Sequence, residues 1–563
     1  MLAPTPIMVE HRPSTEQGQG RCAMTRLTAR LSLAGAAASV IAAAISIGAG
    51  SGAAWAQNGY SFLDAERSAI DYRLAPAQPV RSCADIERIA SAAFAALSVQ
   101  EVAAADGVPA FCRVLGQIPP EVRFEVALPM AWNRRLYMRG NGGFAGEALD
   151  APPRVAQRNA ALRHGFVAVQ TNTGHDAAGE PLASFASNPA KKIDYAFRAV
   201  HLTAGAARRL AGFFYDRAPA FSYWDGCSTG GRQGLMSMQR YPGDFDGVIV
   251  GAPVLNFIDS MVSGVWNAKA LERNPIRLEQ MPALAAAIYK KCDARDGLDD
   301  GVIDDPRQCG FDPDADLPKC NGSEGADCFT PGQIATLKAI YGGVVSGGKP
   351  YFPGQPVGAE KIGTPPFGST TPQSGWAGWL LAAEGANRQI TYGESFLRYM
   401  AFDKPDPTYD WHRFDIDQDP AKLDEIRELL NATSTDLSAF RNRGGKALMY
   451  FGWADTALNP LMGIDYYMRV SERLGPSTRD FFRLFMVPGM FHCRGGVGVD
   501  RIDALTPLIN WVENGIAPDR IVGSRLEAGK VVRTRPLCPY PQVARHDGSG
   551  SVDEAASFTC AAP

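Results

Sequence analysis

Between about Val122 and Val250 the chain switches repeatedly between two periods. Arg123-Phe124-Glu125-Val126-Ala127-Leu128 alternates with a period of two, the pattern of a half-buried strand. Arg135–Met138, Gly165–Gln170, Phe221–Trp224 and Gly247–Pro253 are short apolar runs bounded by glycine or polar residues, and they predict buried strands. Residues 194–215 instead repeat apolar positions at helical spacing. Strand–helix alternation of this kind predicts an α/β architecture with a largely parallel sheet. From about 255 to 440 the periodicity fades, and Pro, Gly, Trp and Asp accumulate. The buried-strand pattern returns at Ala447–Gly452 and Arg483–Val487. A sheet that pauses and resumes predicts an inserted domain. The expected division is an α/β domain built from 57–254 and 440–563, with 255–439 inserted. The tail from Leu537 onward reads as loop.

The N-terminus changes the picture of where the chain works. Arg26 and Arg30 precede an Ala-rich apolar run, Leu31–Gly50, and Ala54-Trp55-Ala56 follows as a small-x-small cleavage site. Residues 1–56 therefore predict a secretory signal, with 1–23, ahead of Met24, as an over-long start. A membrane anchor is the alternative. Eleven cysteines are present, and Cys22 would leave with the signal. The ten that remain are an even set and predict disulfides formed outside the cytoplasm, in a secreted or periplasmic protein. Zinc is the rival use, but no C-x2-C pair occurs. A net charge of −3 without a long basic run excludes a nucleic-acid partner. No later apolar run is long enough to span a bilayer, and a soluble monomer is expected.

Candidate chemistry begins at Gly226-Cys227-Ser228-Thr229-Gly230, a G-x-S-x-G turn between a predicted strand and a helix-like segment. A nucleophile on such a turn needs small neighbours, because the backbone is crowded. Seven histidines narrow the search for its base. His492, in Val487-Pro488-Gly489-Met490-Phe491-His492-Cys493, follows the last buried strand, and Asp455 follows the strand before it. The order Ser, acid, His is that of α/β hydrolases with a catalytic triad. His175, just after the Gly165–Gln170 strand, either lines the site or is an ordinary loop residue. Cys227 precedes the serine and Cys493 follows the histidine, so a Ser228–His492 contact would bring the two cysteines together. Serine is then the nucleophile and cysteine the staple. The Thr229 N–H and a donor from the Gly140–Gly146 loop, with Gly143 the candidate, would form an oxyanion hole.

A second cluster runs from Cys292 to Pro306, with carboxylates spaced three and four residues apart around glycines. Asp293, Asp296 and Asp300 could supply side-chain oxygens to a hard cation, and Leu298 and Val302 backbone carbonyls. The EF-hand spacing is absent, and a solvated acidic loop is the alternative. Cys292 and Cys309 bracket the loop.

Together these stretches, with the tail "TRPLCPYPQVAR", resemble the tannase/feruloyl esterase family across nearly all of the chain after the signal. The resemblance implies an α/β-hydrolase core with a lid inserted between the serine and the acid. It implies a triad of Ser228, Asp455 and His492, and structural Ca2+ at Asp293, Asp296, Leu298, Asp300 and Val302. It further implies the pairs Cys83–Cys112, Cys227–Cys493, Cys292–Cys309, Cys320–Cys328 and Cys538–Cys560. Family members hydrolyse small esters of aromatic acids of the feruloyl, galloyl or terephthaloyl type. Trp376, Trp379, Arg388, Tyr392 and Phe402 fall where the lid would face the serine, and Leu458 follows the acid. Gly393, Leu458 and Thr229 depart from the polar, aromatic and acidic residues expected for a terephthalate monoester. Two other classes share these features: an inactive calcium-dependent binding protein on the same scaffold, and a peptidase or acyltransferase using the same triad.

Overall fold

The buried runs become neighbouring strands of one nine-stranded sheet. A computed structural model describes residues 60–563, apart from 74, 90–93, 366–370 and 383–386. The expected signal segment lies outside the described residues. The strands in chain order are β1 (Ala95–Val102), β2 (Phe111–Ile118), β3 (Val122–Pro129), β4 (Arg135–Arg139), β5 (Val167–Thr171), β6 (Phe221–Cys227) and β7 (Gly247–Gly251). Four short strands form two antiparallel pairs, β8 (Val344–Ser346) with β9 (Lys349–Phe352) and β10 (Ile362–Gly363) with β11 (Gln373–Ser374). Then come β12 (Lys446–Gly452) and β13 (Phe482–Val487).

The main sheet runs β1-β2-β3-β5-β4-β6-β7-β12-β13. The pairs from β1 to β5 are antiparallel, and those from β5 through β13 are parallel. This is an α/β-hydrolase fold. The parallel strands are buried along nearly their whole length, so they read as continuous apolar runs rather than alternations. Helix Thr229–Arg240 packs on β6 and β7, and helix Leu505–Asn514 on β7 and β12.

The chain leaves the sheet after β7 and re-enters at β7's direct neighbour, β12. Everything between is an insertion that leaves the sheet unbroken. One hydrophobic cluster runs from the sheet into the insertion, joining Val250 and Tyr450 to Phe257, Phe352 and Phe396. A second is built mainly from insertion residues such as Leu284, Phe329, Leu337 and Trp376, and closes on Ala454 and Phe491. Those last two residues adjoin Asp455 and His492.

Three parts of the fold differ from the sequence expectation. β1 and β2 extend the sheet ahead of the first predicted strand. β1 is an edge strand whose described side chains are exposed or half-buried, so its pattern carries little hydrophobic signal. The tail is not loop alone: Val543–His546 pairs antiparallel with Phe558–Ala561, and Cys538–Cys560 closes the unit. Strands of four residues are too short to show a period. The insertion is also more helical than its composition predicts, with helices Phe257–Arg273, Met281–Cys292, Pro331–Gly342 and Arg388–Tyr399. Among the described residues, no helix is long and apolar enough to cross a membrane.

Candidate active site

β6 ends at Cys227, and Ser228 turns the chain into helix Thr229–Arg240 with φ 62° and ψ −122°. A positive φ on a residue with a Cβ marks a strained turn, held here by its surroundings. The Ser228 N–H donates to the Gly251 carbonyl at 3.0 Å, and its own carbonyl accepts the Arg232 N–H at 3.0 Å. The glycines around it have a packing reason. A Cβ on Gly226 would lie 2.4 Å from the Gly230 carbonyl carbon, and one on Gly140 would lie 2.7 Å from the Gly230 Cα. The Ser228 turn and the Gly140–Gly146 loop thus pack backbone against backbone.

Asp455 follows β12 and His492 follows β13, at the same C-terminal edge of the parallel strands where α/β folds place their sites. His492 Nδ1 lies 2.7 Å from Asp455 Oδ2, and both side chains are fully buried. Asp455 Oδ1 accepts the N–H groups of Ala457 and Leu458, each at 2.9 Å. A neutral imidazole that donates from Nδ1 to this carboxylate keeps its lone pair on Nε2. His492 and Ser228 line one cavity of about 50 Å³. Cys227–Cys493 joins the residues beside them, with Cα atoms 6.2 Å apart. The other pairs are Cys83–Cys112, Cys292–Cys309, Cys320–Cys328 and Cys538–Cys560.

Gly143 lines the cavity with φ +52°, and a Cβ there would sit 2.5 Å from the Tyr392 hydroxyl. Its loop is anchored by a buried acid: Glu147 Oε1 accepts the Gly142 N–H at 2.7 Å. Glu147 Oε2 accepts Asn141 Nδ2 at 2.6 Å and Arg154 Nη2 at 2.9 Å. Gln233, on the helix after Ser228, accepts the Asn141 N–H at 3.0 Å. His175 is buried behind this loop and stacked on Phe185 at 3.8 Å. Burial pushes its pKa down to about 4. It backs Gly146, whose Cβ would lie 2.5 Å from His175 Nε2, and does not line the cavity.

Trp379, Tyr392 and Leu458 line the cavity. Trp379 meets His492 edge-on, with ring centroids 5.5 Å apart. Tyr392 stacks on Phe144 at 5.2 Å, and burial pushes its hydroxyl pKa up to about 12. Phe144, Val254, Phe257 and Met261 complete an apolar wall that sequence reasoning missed. Their signal was positional: Phe144 sits in the glycine loop, and the others follow β7. The polar lining residues are engaged elsewhere. Gln389 donates to the Thr456 carbonyl at 2.7 Å and accepts Asn267 Nδ2 at 2.9 Å, while Ser260 donates to the Asn256 carbonyl at 2.8 Å.

Three residues expected to face the serine stand elsewhere. Phe402 lines a separate groove of about 990 Å³, with Lys192, Phe197, Lys404 and Lys422, that contains none of Ser228, Asp455 and His492. Arg388 is exposed, its guanidinium carbon 5.6 Å from the Trp379 ring and outside the cavity lining. Both lie in a segment whose turns, not its sequence spacing, decide which way a side chain faces. Trp376 is buried in the second hydrophobic cluster.

The acidic loop has the donors of a hard-cation site. Burial and the charge of Asp300 push Asp293 up to about 6, and burial first, then Asp300, raises Asp296. The side chains are drawn apart, however. Asp300 Oδ2 pairs with Arg535 Nη2 at 2.5 Å, and both Asp293 oxygens accept the Gly301 N–H at 3.0–3.1 Å. Asp296 shares a cavity of about 20 Å³ with Asp304 and Asp305, whereas Asp300 faces a different hollow with Lys361 and Arg533. Among the described residues, no three His, Cys, Asp or Glu side chains converge as metal ligands. The oxygen chemistry fits Ca2+; the side-chain arrangement does not gather around one point.

Comparison with known proteins decides the family. The family model "Tannase and feruloyl esterase" matches residues 105–561. The chain belongs to the tannase and feruloyl esterase family. It is a carboxylic ester hydrolase. It is 36% identical over 524 residues to mono(2-hydroxyethyl) terephthalate hydrolase of Piscinibacter sakaiensis, covering 82% of this chain and 86% of that enzyme. It is 32% identical over 480 residues to feruloyl esterase B of Aspergillus niger, covering 80% of this chain and 86% of that one. The crystal structure of feruloyl esterase B from Aspergillus oryzae superposes with a TM-score of 0.72 at 28% identity, over 85% of this chain and all of that one (100%).

Proposed function

We propose that this tannase-family member is an exported serine esterase that cleaves small esters of aromatic acids. One observation carries the reading: the cavity holding Ser228 and His492 is walled by Trp379, Tyr392, Phe144 and Phe257. Flat aromatic faces favour a planar aromatic acyl group. The acyl groups named in the two relatives, terephthalate and ferulate, are of that class.

In the proposed reaction His492 Nε2 takes the Ser228 proton as the hydroxyl attacks the ester carbonyl. Asp455 holds the imidazole in the required tautomer and stabilises the imidazolium. The Gly143 and Thr229 N–H groups receive the oxyanion, a task worth about 3–4 kcal/mol per donor. The alcohol leaves with the proton from His492, and a water activated by the same imidazole cleaves the acyl-enzyme. The insertion acts as the lid, because it supplies Trp379 and Tyr392. To hold Ca2+, Asp293, Asp296 and Asp300 would have to leave their present partners and converge with the Leu298 and Val302 carbonyls, and the ion would then supply charge neutralisation to a loop remote in sequence from Ser228. Five disulfides and the N-terminal signal pattern support export to the periplasm or beyond.

The deciding experiment is an ester panel: methyl ferulate, methyl gallate, mono(2-hydroxyethyl) terephthalate and an aliphatic butyrate. Turnover of aryl esters, lost in Ser228→Ala, is expected. Turnover of the butyrate alone would refute the acyl class, and failure of a fluorophosphonate to label Ser228 would favour a binding protein. Faster cleavage of matched amides than esters would favour a peptidase.

A further inference from the structure

Three elements meet at the carbonyl oxygen of Gly143. It accepts the Thr229 hydroxyl at 2.5 Å and the Tyr195 hydroxyl at 3.1 Å. Thr229 opens the helix after Ser228, and Tyr195 sits in a π-helical turn, Asp194–Arg198, ahead of helix Ala199–Tyr215. The wider π turn leaves carbonyls available to an outside donor. Here the donor is Arg232, whose guanidinium reaches the Tyr195 and Ala196 carbonyls at 3.1 Å each and the Leu430 carbonyl at 3.3 Å. Arg232 is fully buried, and its Cζ lies 4.8 Å from the Tyr195 ring. Among the described residues, no carboxylate pairs with it; backbone carbonyls and ring faces take its charge. Arg232 stands one turn after Ser228 on the same helix as Thr229. That helix therefore grips Gly143 twice, directly through Thr229 and through Arg232 and the Tyr195 turn.

The peptide plane before Gly143 is pinned as well. The Gly142 carbonyl in that plane accepts the Ala145 N–H at 2.8 Å, and one plane earlier the Gly142 N–H donates to Glu147. Glycine is the residue with the widest choice of backbone conformations. With the planes on both sides of it fixed, the direction of the Gly143 N–H is fixed too. The two donors proposed for the oxyanion, Gly143 N–H and Thr229 N–H, lie on different elements, so their spacing depends on what ties the elements together.

We propose that the Thr229 and Tyr195 hydroxyls are positioning groups that set the spacing of the two oxyanion donors by holding the Gly143 carbonyl from the nucleophile side. The inference rests on the serine-esterase reading above. It predicts a loss in the transition state rather than in substrate binding, because the donors bond strongly only to the tetrahedral oxygen.

The test uses Tyr195→Phe and Thr229→Val, each of which removes one hydroxyl and keeps the backbone N–H, with Thr229→Ser as the rescue. Steady-state kinetics on an aryl ester are combined with inhibition by an arylboronic acid, which forms a tetrahedral serine adduct, and by the free aromatic acid. A tenfold fall in kcat with KM within twofold is expected for Phe and Val. Boronate affinity should fall by the same factor and free-acid affinity should not, and Ser should stay within twofold of the parent. Should Thr229→Val not fold, Tyr195→Phe decides alone. Unchanged kcat in the folded variants, equal weakening of boronate and free acid, or no rescue by Ser would overturn the proposal. Turnover retained by Ser228→Ala would instead overturn the serine-esterase reading itself, so the two failures are separable.

Discussion

Replacing Cys227 and Cys493 together by serine separates two jobs of one bond. The bond closes a loop of sequence separation 266, against 29 for Cys83–Cys112. Loop-closure entropy puts the losses at about 5.5 kcal/mol and about 3.5 kcal/mol respectively. A chain of roughly 500 ordered residues unfolds with an entropy near 1 kcal/mol/K, so Tm should fall about 5 °C in the first case and about 3 °C in the second. Stability is the smaller part of the prediction. Cys227 and Cys493 flank the serine and the histidine, so loosening them lets two reacting groups drift by fractions of an ångström. At 25 °C, where both double variants stay folded, Cys227→Ser/Cys493→Ser should lose about tenfold in kcat, since small misplacements of reacting groups are costly. Cys83→Ser/Cys112→Ser should lose nothing. The assay is scanning calorimetry for Tm, with kcat normalised to sites titrated by a fluorophosphonate. Wild-type kcat per titrated site in the Cys227/Cys493 variant, or a Tm loss no greater than in the control, would refute the argument.

Other outcomes follow from the same geometry. Asp455→Asn should lower kcat about 10⁴-fold with the fold intact by circular dichroism, because an amide no longer enforces the imidazole tautomer. His175 is neutral in the folded state because burial holds its pKa near 4, while the unfolded ring takes a proton below about pH 6.5. The stability it permits is present above that pH and lost as pH falls, by about 1.4 kcal/mol per unit between roughly 6.5 and 4. Urea midpoints at pH 7 and pH 5 should show that slope, and His175→Phe should flatten it. Chelation by EDTA should lower Tm, and added Ca2+ should restore it without changing kcat per titrated site; an EDTA-indifferent Tm would remove calcium from the acidic loop. Trp379→Ala should raise KM for aryl esters at least fivefold, whereas Phe402→Ala should leave it unchanged, a contrast read directly from initial rates.

Sequence alone determined what depends on neighbours along the chain. The buried strands were legible because a strand covered on both faces must be apolar throughout. The Gly226–Gly230 turn was legible because its glycines sit where the chain is crowded, a Cβ on Gly226 striking the Gly230 backbone. The order of Ser228, Asp455 and His492 was legible because each follows a strand of the parallel sheet. The pairing of Cys227 with Cys493 could be reasoned from that order. Tertiary structure decided what depends on direction. It turned Phe402 into another groove, set Arg388 outside the cavity and brought Phe144, Phe257 and Met261 to the wall. It also added β1, whose edge position leaves little hydrophobic signal, with β2 beside it, and joined Thr229, Tyr195 and Arg232 around one carbonyl. The physical reason is that burial and backbone crowding leave a mark on residue type at each position. The facing of a side chain in the insertion, and hydrogen bonds between elements far apart in sequence, are settled only by how those elements pack.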